Sequence, residues 1–187
     1  MEGFQKEVFV IAGPNGAGKT TFAVNLIDEG WVEHFVNADE IAKQYSDLPS
    51  GQANILASRV FLKTLETLAT RNESFAFETT LSGRSHLNRI KKLKADGWLV
   101  SLFYLFMSSP DISLKRVAER VAHGGHDIPE KDIFRRYPKS LNHFQKDYLP
   151  LVDYAECVLN EGERPETFSR PFKAKYLKSI PAFIKRL

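Results

Sequence analysis

Glycine and lysine residues near the N-terminus have the spacing of a phosphate-binding loop. Gly13 is followed after four residues by Gly18, Lys19 and Thr20, which matches the Walker A pattern between an apolar run and a helical pattern. Glycines let backbone N–H groups approach phosphate oxygens, and the helix N-terminus adds positive potential. Lys19 is expected to bridge the β- and γ-phosphates, and Thr20 to offer its hydroxyl to Mg²⁺. The pattern predicts an ATP and Mg²⁺ site formed by Gly13, Pro14, Asn15, Gly16, Ala17, Gly18, Lys19, Thr20 and Thr21.

Carboxylates and hydroxyls stand just beyond other apolar runs. Ligands of open α/β sheets bind outside the carboxyl ends of the strands, where a carboxylate can take a proton from a substrate hydroxyl or hold Mg²⁺ through water. Asp39 fits either a catalytic role or a helix cap, because NADEI is also a helix N-terminal signature. Glu78 closes a buried run, where an unpaired carboxylate is costly, so we expect it to have a ligand or a partner. The residues at this rim are Asn37, Asp39, Glu78, Thr79, Thr80 and Asn160.

Arginines in the stretch ISLKRVAERVAHGGHDIPEKDIFRRY are candidates for binding phosphate. Arg116 and Arg120 are four residues apart and share a helix face, and Arg135 and Arg136 follow a Gly-Gly break. Two such helices joined at glycines can close over a nucleotide as a lid, which we place at about 110–148, and their arginines can stabilise charge on the transferring phosphoryl group. For each arginine, simple solvation of a helix surface is the alternative. The histidines beside the glycines suggest a hinge or a substrate contact and not a metal site, because the break removes a fixed ligand spacing.

The elements that must position these residues alternate between strand and helix. This alternation, with a glycine-rich turn after the first strand, predicts an α/β P-loop kinase-like sandwich with a mainly parallel sheet. The predicted strands are Glu7–Ala12, His34–Asn37, Ser74–Glu78, Trp98–Phe106 and, as the last one, Ala155–Leu159. The predicted helices are Thr20–Asp28, Asp39–Tyr45, Gln52–Arg71, Ser85–Ala95, 110–123 after an N-cap at Ser109, and Ile128–Tyr148 with an interruption at Pro138.

Composition limits the classes of protein that remain. With 187 residues, 43% apolar and 26% charged, we expect one domain over 1–187 that ends in an extension at about 163–187. The single Cys157 excludes an intramolecular disulfide and is expected to be a buried thiol. A net charge of +3 with scattered cations does not require a nucleic-acid partner. Without an apolar leader or a membrane-length run, we expect a cytoplasmic protein.

Several classes of nucleotide-binding protein can be compared with the rest of the chain. The loop GPNGAGKTT resembles that of ABC transporter ATPases, but LSG at 81–83 is followed by Arg84 instead of completing their signature, and no strand ends in Asp-Glu. The base-reading motif of GTPases is also absent from the sequence. Three hypotheses remain: an ATP-dependent small-molecule kinase, a P-loop ATPase or nucleotide switch, and a polynucleotide 5′-kinase, whose arginines would bind strand phosphates.

Five motifs follow one another along the chain: the phosphate loop, NADEI, FETTLSG, the arginine-rich stretch with GGHDIPE, and the terminal VLNEG. With these motifs in this order, the sequence resembles the zeta-toxin family of P-loop kinases over about 8–162. Characterised toxins of that family use ATP to phosphorylate a hydroxyl of UDP-N-acetylglucosamine, so the resemblance implies a small-molecule acceptor of the nucleotide-sugar kind and an antitoxin partner. It implies that Asp39 is the catalytic base and that Glu78, Thr79 and Thr80 bind substrate. We add Arg116 to the substrate-binding residues. The lid arginines of the family are matched here by Arg120 and Arg136, which we expect to be catalytic together with Asp39 and Lys19. The chain departs from the studied toxins at GGHDIP and in its C-terminal extension.

Overall fold

A computed structural model describes residues 6–161 and 166–168 of the chain, the last three as backbone only. The extension predicted at 163–187 therefore lies outside the described residues, apart from one short strand. The strands are β1 Glu7–Ala12, β2 His34–Val36, β3 Phe75–Thr79, β4 Leu99–Phe106, β5 Tyr154–Leu159 and β6 Glu166–Phe168. The helices are α1 Lys19–Asp28, α2 Ala38–Lys43, α3 Ser50–Thr70, α4 Leu87–Ala95, α5 Pro110–Ala122 and α6 Glu130–His143, with a π-helical turn at Phe144–Tyr148. Of these helices, none is long and apolar enough to span a membrane.

The strands form one sheet in the order β2-β3-β1-β4-β5-β6. All neighbours are parallel except β5 and β6, which are antiparallel. The predicted α/β sandwich with a mainly parallel sheet is therefore confirmed. The register sets Ala12 at the end of β1 beside Thr79 of β3 and Tyr104 of β4. The segments that follow these strands consequently meet at one edge of the sheet, where ligands of such folds bind.

Helices pack on both faces of the sheet, and alternate residues of each strand point to opposite sides. On one face, residues such as Val10 and Phe77 pack with α3, α4 and the π-helical turn in the larger core. On the other face, Phe9 and Phe103 pack with α1. Cys157 belongs to the larger core, and burial raises the pKa of its thiol to about 12, so the expectation of a buried thiol is met.

The structure corrects two predictions. Pro138 does not interrupt its helix, although a proline inside a helix loses one hydrogen bond and costs about 3 kcal/mol. Contacts on both sides offset this cost: the Tyr137 hydroxyl donates to the Met107 carbonyl at 2.5 Å, and the hydroxyls of Ser140 and Tyr104 are 2.8 Å apart. The strand at Ala155–Leu159 is not the last one, because β6 adds to its free edge. A three-residue strand carries too little apolar pattern to be recognised before pairing.

Candidate active site

The phosphate loop lies between β1 and α1, at the edge where the parallel strands end. Gly18 precedes α1 with φ of +81°, in the left-handed region, and a methyl group there would lie 2.6 Å from the amide nitrogen of Asn160. Only glycine fits this position without strain. No side chain caps α1, so its first N–H groups remain available to an anion.

Two neighbouring elements hold the loop in place. From the end of β5, the Asn160 amide donates a hydrogen bond to the Ala17 carbonyl at 2.9 Å. From α5, the hydroxyl of the fully buried Ser113 donates to the Asn15 carbonyl. Sequence reasoning placed Asn160 at the rim but missed Ser113, although a serine four residues before the apolar Val117 was a possible signal. The Asn15 side-chain oxygen is buried without a hydrogen-bond partner.

Lys19 occupies the centre of the loop and is only 7% exposed. Its ammonium group donates to the Pro14 carbonyl at 3.0 Å. Burial lowers the pKa of this group, whereas the nearby carboxylates of Glu78 and Asp39 raise it and Arg120 lowers it. The ammonium group is thus a buried cation whose hydrogen bond to the Pro14 carbonyl can be replaced by one to an anionic ligand.

Thr20 and Glu78 meet across the gap between α1 and β3. The threonine hydroxyl donates to the glutamate carboxylate at 2.8 Å, so the partner expected for Glu78 is present. The pair brings a hydroxyl and a carboxylate oxygen together beside the phosphate loop. Hard oxygen donors of this kind suit Mg²⁺, which usually takes one or two protein oxygens and completes its shell with water and phosphate.

Asp39 lies in the first turn of α2 but does not cap it. The N-cap is Asn37, whose side-chain oxygen accepts hydrogen bonds from the backbone N–H groups of Asp39 at 2.7 Å and of Glu40 at 3.3 Å. The interpretation of Asp39 as the helix cap is therefore wrong. Because Asn37 caps α2, the Asp39 carboxylate is not needed for capping. It faces the cleft.

The cleft consists of two adjoining cavities of about 440 and 380 Å³ that share the side chains of Asn37, Asp39, Glu78 and Thr80. We call them the loop cavity and the outer cavity. The loop cavity is also lined by Asn15, Gly16, Gly18, Lys19, Thr20, Thr21, Arg116, Arg120 and His126. The outer cavity is also lined by Ser58, Phe61, Leu62, Thr79, Ser85, His86 and Arg136. Gly13, Pro14 and Ala17 of the predicted set lie behind the lining.

The four candidate arginines divide among three environments. Arg116 and Arg120 line the loop cavity, where the Arg120 guanidinium donates to the His126 carbonyl at 2.5 Å. Arg136 lines the outer cavity and lies 3.7 Å from Asp132. Arg135 lines neither cavity and pairs with the same Asp132 at 2.8 Å on the exposed side of α6. Adjacent positions on one helix thus point in different directions, as the 100° turn per residue requires.

An aromatic group forms the floor of the outer cavity. The His86 ring lies 5.9 Å from the ring of Phe61 and 5.1 Å from that of Phe77, measured between centroids. Burial lowers the pKa of His86 to about 4, so the ring is neutral near pH 7, and its Nδ1 is buried without a hydrogen-bond partner. Sequence reasoning missed His86, because a single histidine after FETTLSGRS has no distinguishing spacing.

The segment after β3 is held in an unusual backbone conformation beside the cleft. Leu81 has φ of +50°, in the left-handed region that favours glycine. Its side chain is 1% exposed, and its N–H group donates to the Thr79 hydroxyl at 3.2 Å. The Thr80 and Ser82 hydroxyls are 2.9 Å apart. Burial of Leu81 therefore sets the direction of Thr80, which lines both cavities.

A family model described as an AAA domain matches residues 8–136, which include the phosphate loop, Asp39, Glu78 and all four arginines. The chain belongs to this AAA domain family. A relative of this AAA domain protein, an uncharacterized protein of Haemophilus influenzae, is 32% identical over 133 residues, which are 71% of this chain and 94% of the relative.

Solved structures with the same fold include kinases and toxin–antitoxin components. A chain of the AvrRxo1-ORF1:-ORF2 complex with ATP has a TM-score of 0.64 at 17% identity. The aligned region is 96% of this AAA domain protein and 64% of the AvrRxo1 complex chain. A chain of the PezAT toxin–antitoxin system of Streptococcus pneumoniae has a TM-score of 0.56 at 15% identity, and the aligned region is 98% of this protein and 86% of that chain. Shikimate kinase from Acinetobacter baumannii, in complex with shikimate, has a TM-score of 0.51 at 14% identity, and the aligned region is 98% of this protein and 93% of the shikimate kinase. These likenesses show a P-loop kinase fold.

Proposed function

We propose that this protein is an ATP-dependent phosphotransferase of the zeta-toxin kind, which moves the γ-phosphoryl group of ATP to a hydroxyl of a small molecule. The observation that carries the proposal is the position of Asp39 in the wall common to the two cavities. One cavity adjoins the phosphate loop, and the other has an aromatic floor. A carboxylate between them can contact an acceptor hydroxyl on one side and face the phosphate on the other.

The reaction assigns a step to each group in the cleft. Asp39 accepts the proton of the acceptor hydroxyl, whose oxygen then forms a bond to the γ-phosphorus. The bond from that phosphorus to the bridging oxygen breaks, and ADP leaves with the electron pair. Lys19 and Arg120 stabilise the negative charge on the phosphoryl oxygens during transfer. Arg116, on the same helix face as Arg120, lines the same cavity and assists in holding the phosphates.

Residues Thr20 and Glu78 are proposed to hold Mg²⁺. Their oxygens are already 2.8 Å apart beside the loop, which fits a site that uses one hydroxyl directly and one carboxylate through water. When bound, Mg²⁺ neutralises phosphate charge. Glu78 then serves the metal as much as the substrate, whereas Thr79 and Thr80, farther along the same segment, remain proposed acceptor contacts.

The outer cavity is proposed to bind the acceptor. Its volume of about 380 Å³ falls within the range of about 300–1,000 Å³ typical of small-molecule sites. It combines the flat floor of Phe61 and His86 with the hydroxyls of Ser58 and Thr80 and the guanidinium of Arg136. A hydroxylated compound with one anionic group matches this lining, and the zeta-toxin resemblance makes a UDP-N-acetyl sugar the first acceptor to test.

Arg136→Gln is expected to raise the KM for the acceptor by about 10- to 100-fold, because one hydrogen bond from a cation to an anionic group is lost. The KM for ATP should stay near wild type, since Arg136 does not line the loop cavity. Initial rates measured against each substrate separately check this expectation.

Arg135→Gln is the matched control for this test. It removes the guanidinium of the residue directly before Arg136 on α6, whose side chain is 53% exposed and lines neither cavity. Equal effects of the two substitutions on the acceptor KM would contradict an acceptor role for Arg136. A fall in kcat alone, with both KM values unchanged, would instead place Arg136 on the transferring phosphoryl group, as the lid hypothesis has it.

The proposed activity is tested by incubating the protein with γ-labelled ATP and a bacterial metabolite extract, and then identifying the labelled product. We expect label on a small hydroxylated compound, with UDP-N-acetyl sugars included as pure candidates. Phosphate release with no labelled acceptor would indicate a P-loop ATPase or switch. Label on the 5′ end of an added oligonucleotide would indicate a polynucleotide kinase, whose binding should weaken steeply with salt.

An antitoxin partner is part of the same proposal. Its support is the resemblance to zeta toxins and the fold likeness to a chain of the PezAT toxin–antitoxin system. Expression of the chain alone would arrest growth if this part of the proposal holds, and the Asp39→Asn variant would not. Normal growth with active enzyme would separate the phosphotransferase from the toxin role.

A further inference from the structure

A groove of about 650 Å³ lies on the sheet face that carries α1, away from the cleft. Its floor is formed by aromatic rings: the centroid of Phe103 lies 5.1 Å from that of Phe22 and 5.9 Å from that of Tyr154. Trp31, on the margin of the groove, is 61% exposed. The opposite face of the same strands is filled by α3, α4 and the π-helical turn. Within the described residues, the α1 face therefore has room for one more element.

The margin of the groove is acidic. It carries Glu7, Glu29, Asp153 and Glu156, and no lysine or arginine of the described ranges lines it. Asp153 pairs with Lys94 at 2.6 Å, outside the groove. The carboxylates of Glu7, Glu29 and Glu156 form no ion pair with any residue that the structure describes. They accept hydrogen bonds from neutral donors instead: Glu7 from Ser101, Glu29 from Trp31 and Glu156 from Tyr154. Within the part of the chain that the structure describes, the surface thus combines apolar rings with three carboxylates that have no ion pair.

The segment 169–187, SRPFKAKYLKSIPAFIKRL, has the complementary composition. It contains six lysine and arginine residues and no acidic residue. Among its apolar residues, those at 172, 176, 180, 184 and 187 recur at intervals of three or four, the spacing that collects side chains on one side of a helix. Such a segment cannot bury its apolar side alone and needs a surface to cover.

The direction of β6 leads the chain toward the groove. The strand is antiparallel to β5, with Phe168 opposite Cys157. At Phe168, β6 therefore points toward the end of β5 where Tyr154 and Asp153 line the groove. Even at the short rise of a helix, 19 residues span about 28 Å, which is sufficient to cross three strands spaced about 4.8 Å apart.

We propose that residues 169–187 dock in this groove, with their apolar side on the aromatic floor and their cations beside Glu7, Glu29 and Glu156. The docked segment braces α1 from its outer side, since Phe22 of α1 forms one wall. The first turn of α1 carries Lys19 and Thr20. This inference depends on the groove and the tail alone and stands apart from the proposed phosphotransferase activity.

Cross-linking of the full chain tests the docking directly. A carbodiimide couples a lysine amine to a carboxylate that it touches, and peptide mass spectrometry locates the link. We expect links from Lys173, Lys175, Lys178 or Lys185 to Glu29 or Glu156. A mixture of ¹⁵N-labelled and unlabelled protein separates links within one chain from links between chains. Links only between chains, or from the tail only to carboxylates outside the groove, would overturn the proposal.

Trp31 fluorescence provides a second measurement. A docked tail shields Trp31 from acrylamide, and a Trp31→Phe variant supplies the signal of the buried Trp98 for subtraction. The triple variant Phe172→Ser, Tyr176→Ser and Ile180→Ser should increase quenching of Trp31 and shift its emission to the red. The triple variant Lys173→Gln, Lys175→Gln and Lys178→Gln should likewise increase quenching of Trp31, because the attraction between the tail and the acidic margin is weakened.

The matched control replaces three lysines that do not line the groove, Lys63, Lys91 and Lys139, with glutamine. It changes the net charge equally and should leave both the cross-links from the tail and the quenching of Trp31 as in wild type. Equal responses of the two lysine variants would show a general charge effect and would overturn the docking. Quenching of Trp31 that is already maximal in wild type would do the same.

Discussion

Lys19→Ala is expected to reduce phosphoryl transfer by about two to three orders of magnitude, the loss typical of removing one preorganised charge-stabilising donor. Productive ATP binding should weaken as well, because the ammonium group is the cation at the centre of the loop, 7% exposed and held by the Pro14 carbonyl. The loop itself should remain, since Asn160 and Ser113 hold its backbone through other atoms. Calorimetric ATP binding, turnover and melting temperature, measured on the same samples, check the three parts.

Lys115→Ala is a suitable control, because this lysine lies on α5 and lines neither cavity. It should show wild-type binding and transfer. If Lys19→Ala retained wild-type turnover, the phosphate loop would not be the site of the reaction. If it lost its cooperative melting transition, the lysine would be needed for folding and the kinetic loss would have no mechanistic meaning.

Asp39→Asn is expected to reduce phosphoryl transfer by about two to four orders of magnitude, the usual contribution of a general base. The amide has nearly the same size but cannot take the proton of the acceptor hydroxyl. Affinity for ATP should stay near wild type, because Asp39 stands in the shared wall and not in the phosphate loop. Stability should also change little, since the capping of α2 depends on Asn37. Single-turnover transfer, nucleotide titration and melting temperature measure the three effects.

Asn37→Ala separates the structural role from the chemical one. Loss of the cap should cost about 1 kcal/mol of unfolding free energy, whereas Asp39→Asn should cost far less. If the two variants had the opposite pattern, with the larger stability loss at Asp39, the assignment of the cap to Asn37 would be in error. Wild-type transfer by Asp39→Asn would remove Asp39 from the mechanism and leave the cleft without its proposed base.

Much of the fold follows from local pattern. The apolar run at Glu7–Ala12 is a strand with the predicted bounds, and Ser109 caps α5 with a proline at its first position, as expected. Apart from β6, which was not predicted, and the continuity of α6 through Pro138, the other strands and helices agree with the predictions to within a few residues. Strand and helix periodicity is a property of neighbouring residues, and glycine spacing defines the phosphate loop by itself, so both are readable before any tertiary contact is known.

The candidate site was predictable in its composition but not in its arrangement. Asp39, Glu78 and the loop were placed together because parallel strands end at one edge of a sheet. Which arginine enters which cavity could not be read, since Arg135 and Arg136 differ only in the direction of their side chains on a packed helix. His86 was missed because its surroundings, Phe61 and Phe77, come from other elements.

By itself, then, the sequence determined the order of the helices and of the first five strands, the phosphate loop and the identity of the acidic residues around it. Tertiary structure alone decided that Asn37 caps α2 and frees Asp39, that α6 continues through Pro138, and that the cleft has two cavities with a shared wall. The physical reason is the range of the interactions. Backbone propensity and side-chain periodicity act within a few residues, whereas capping choice, burial and cavity shape depend on atoms that packing brings together from distant positions in the chain.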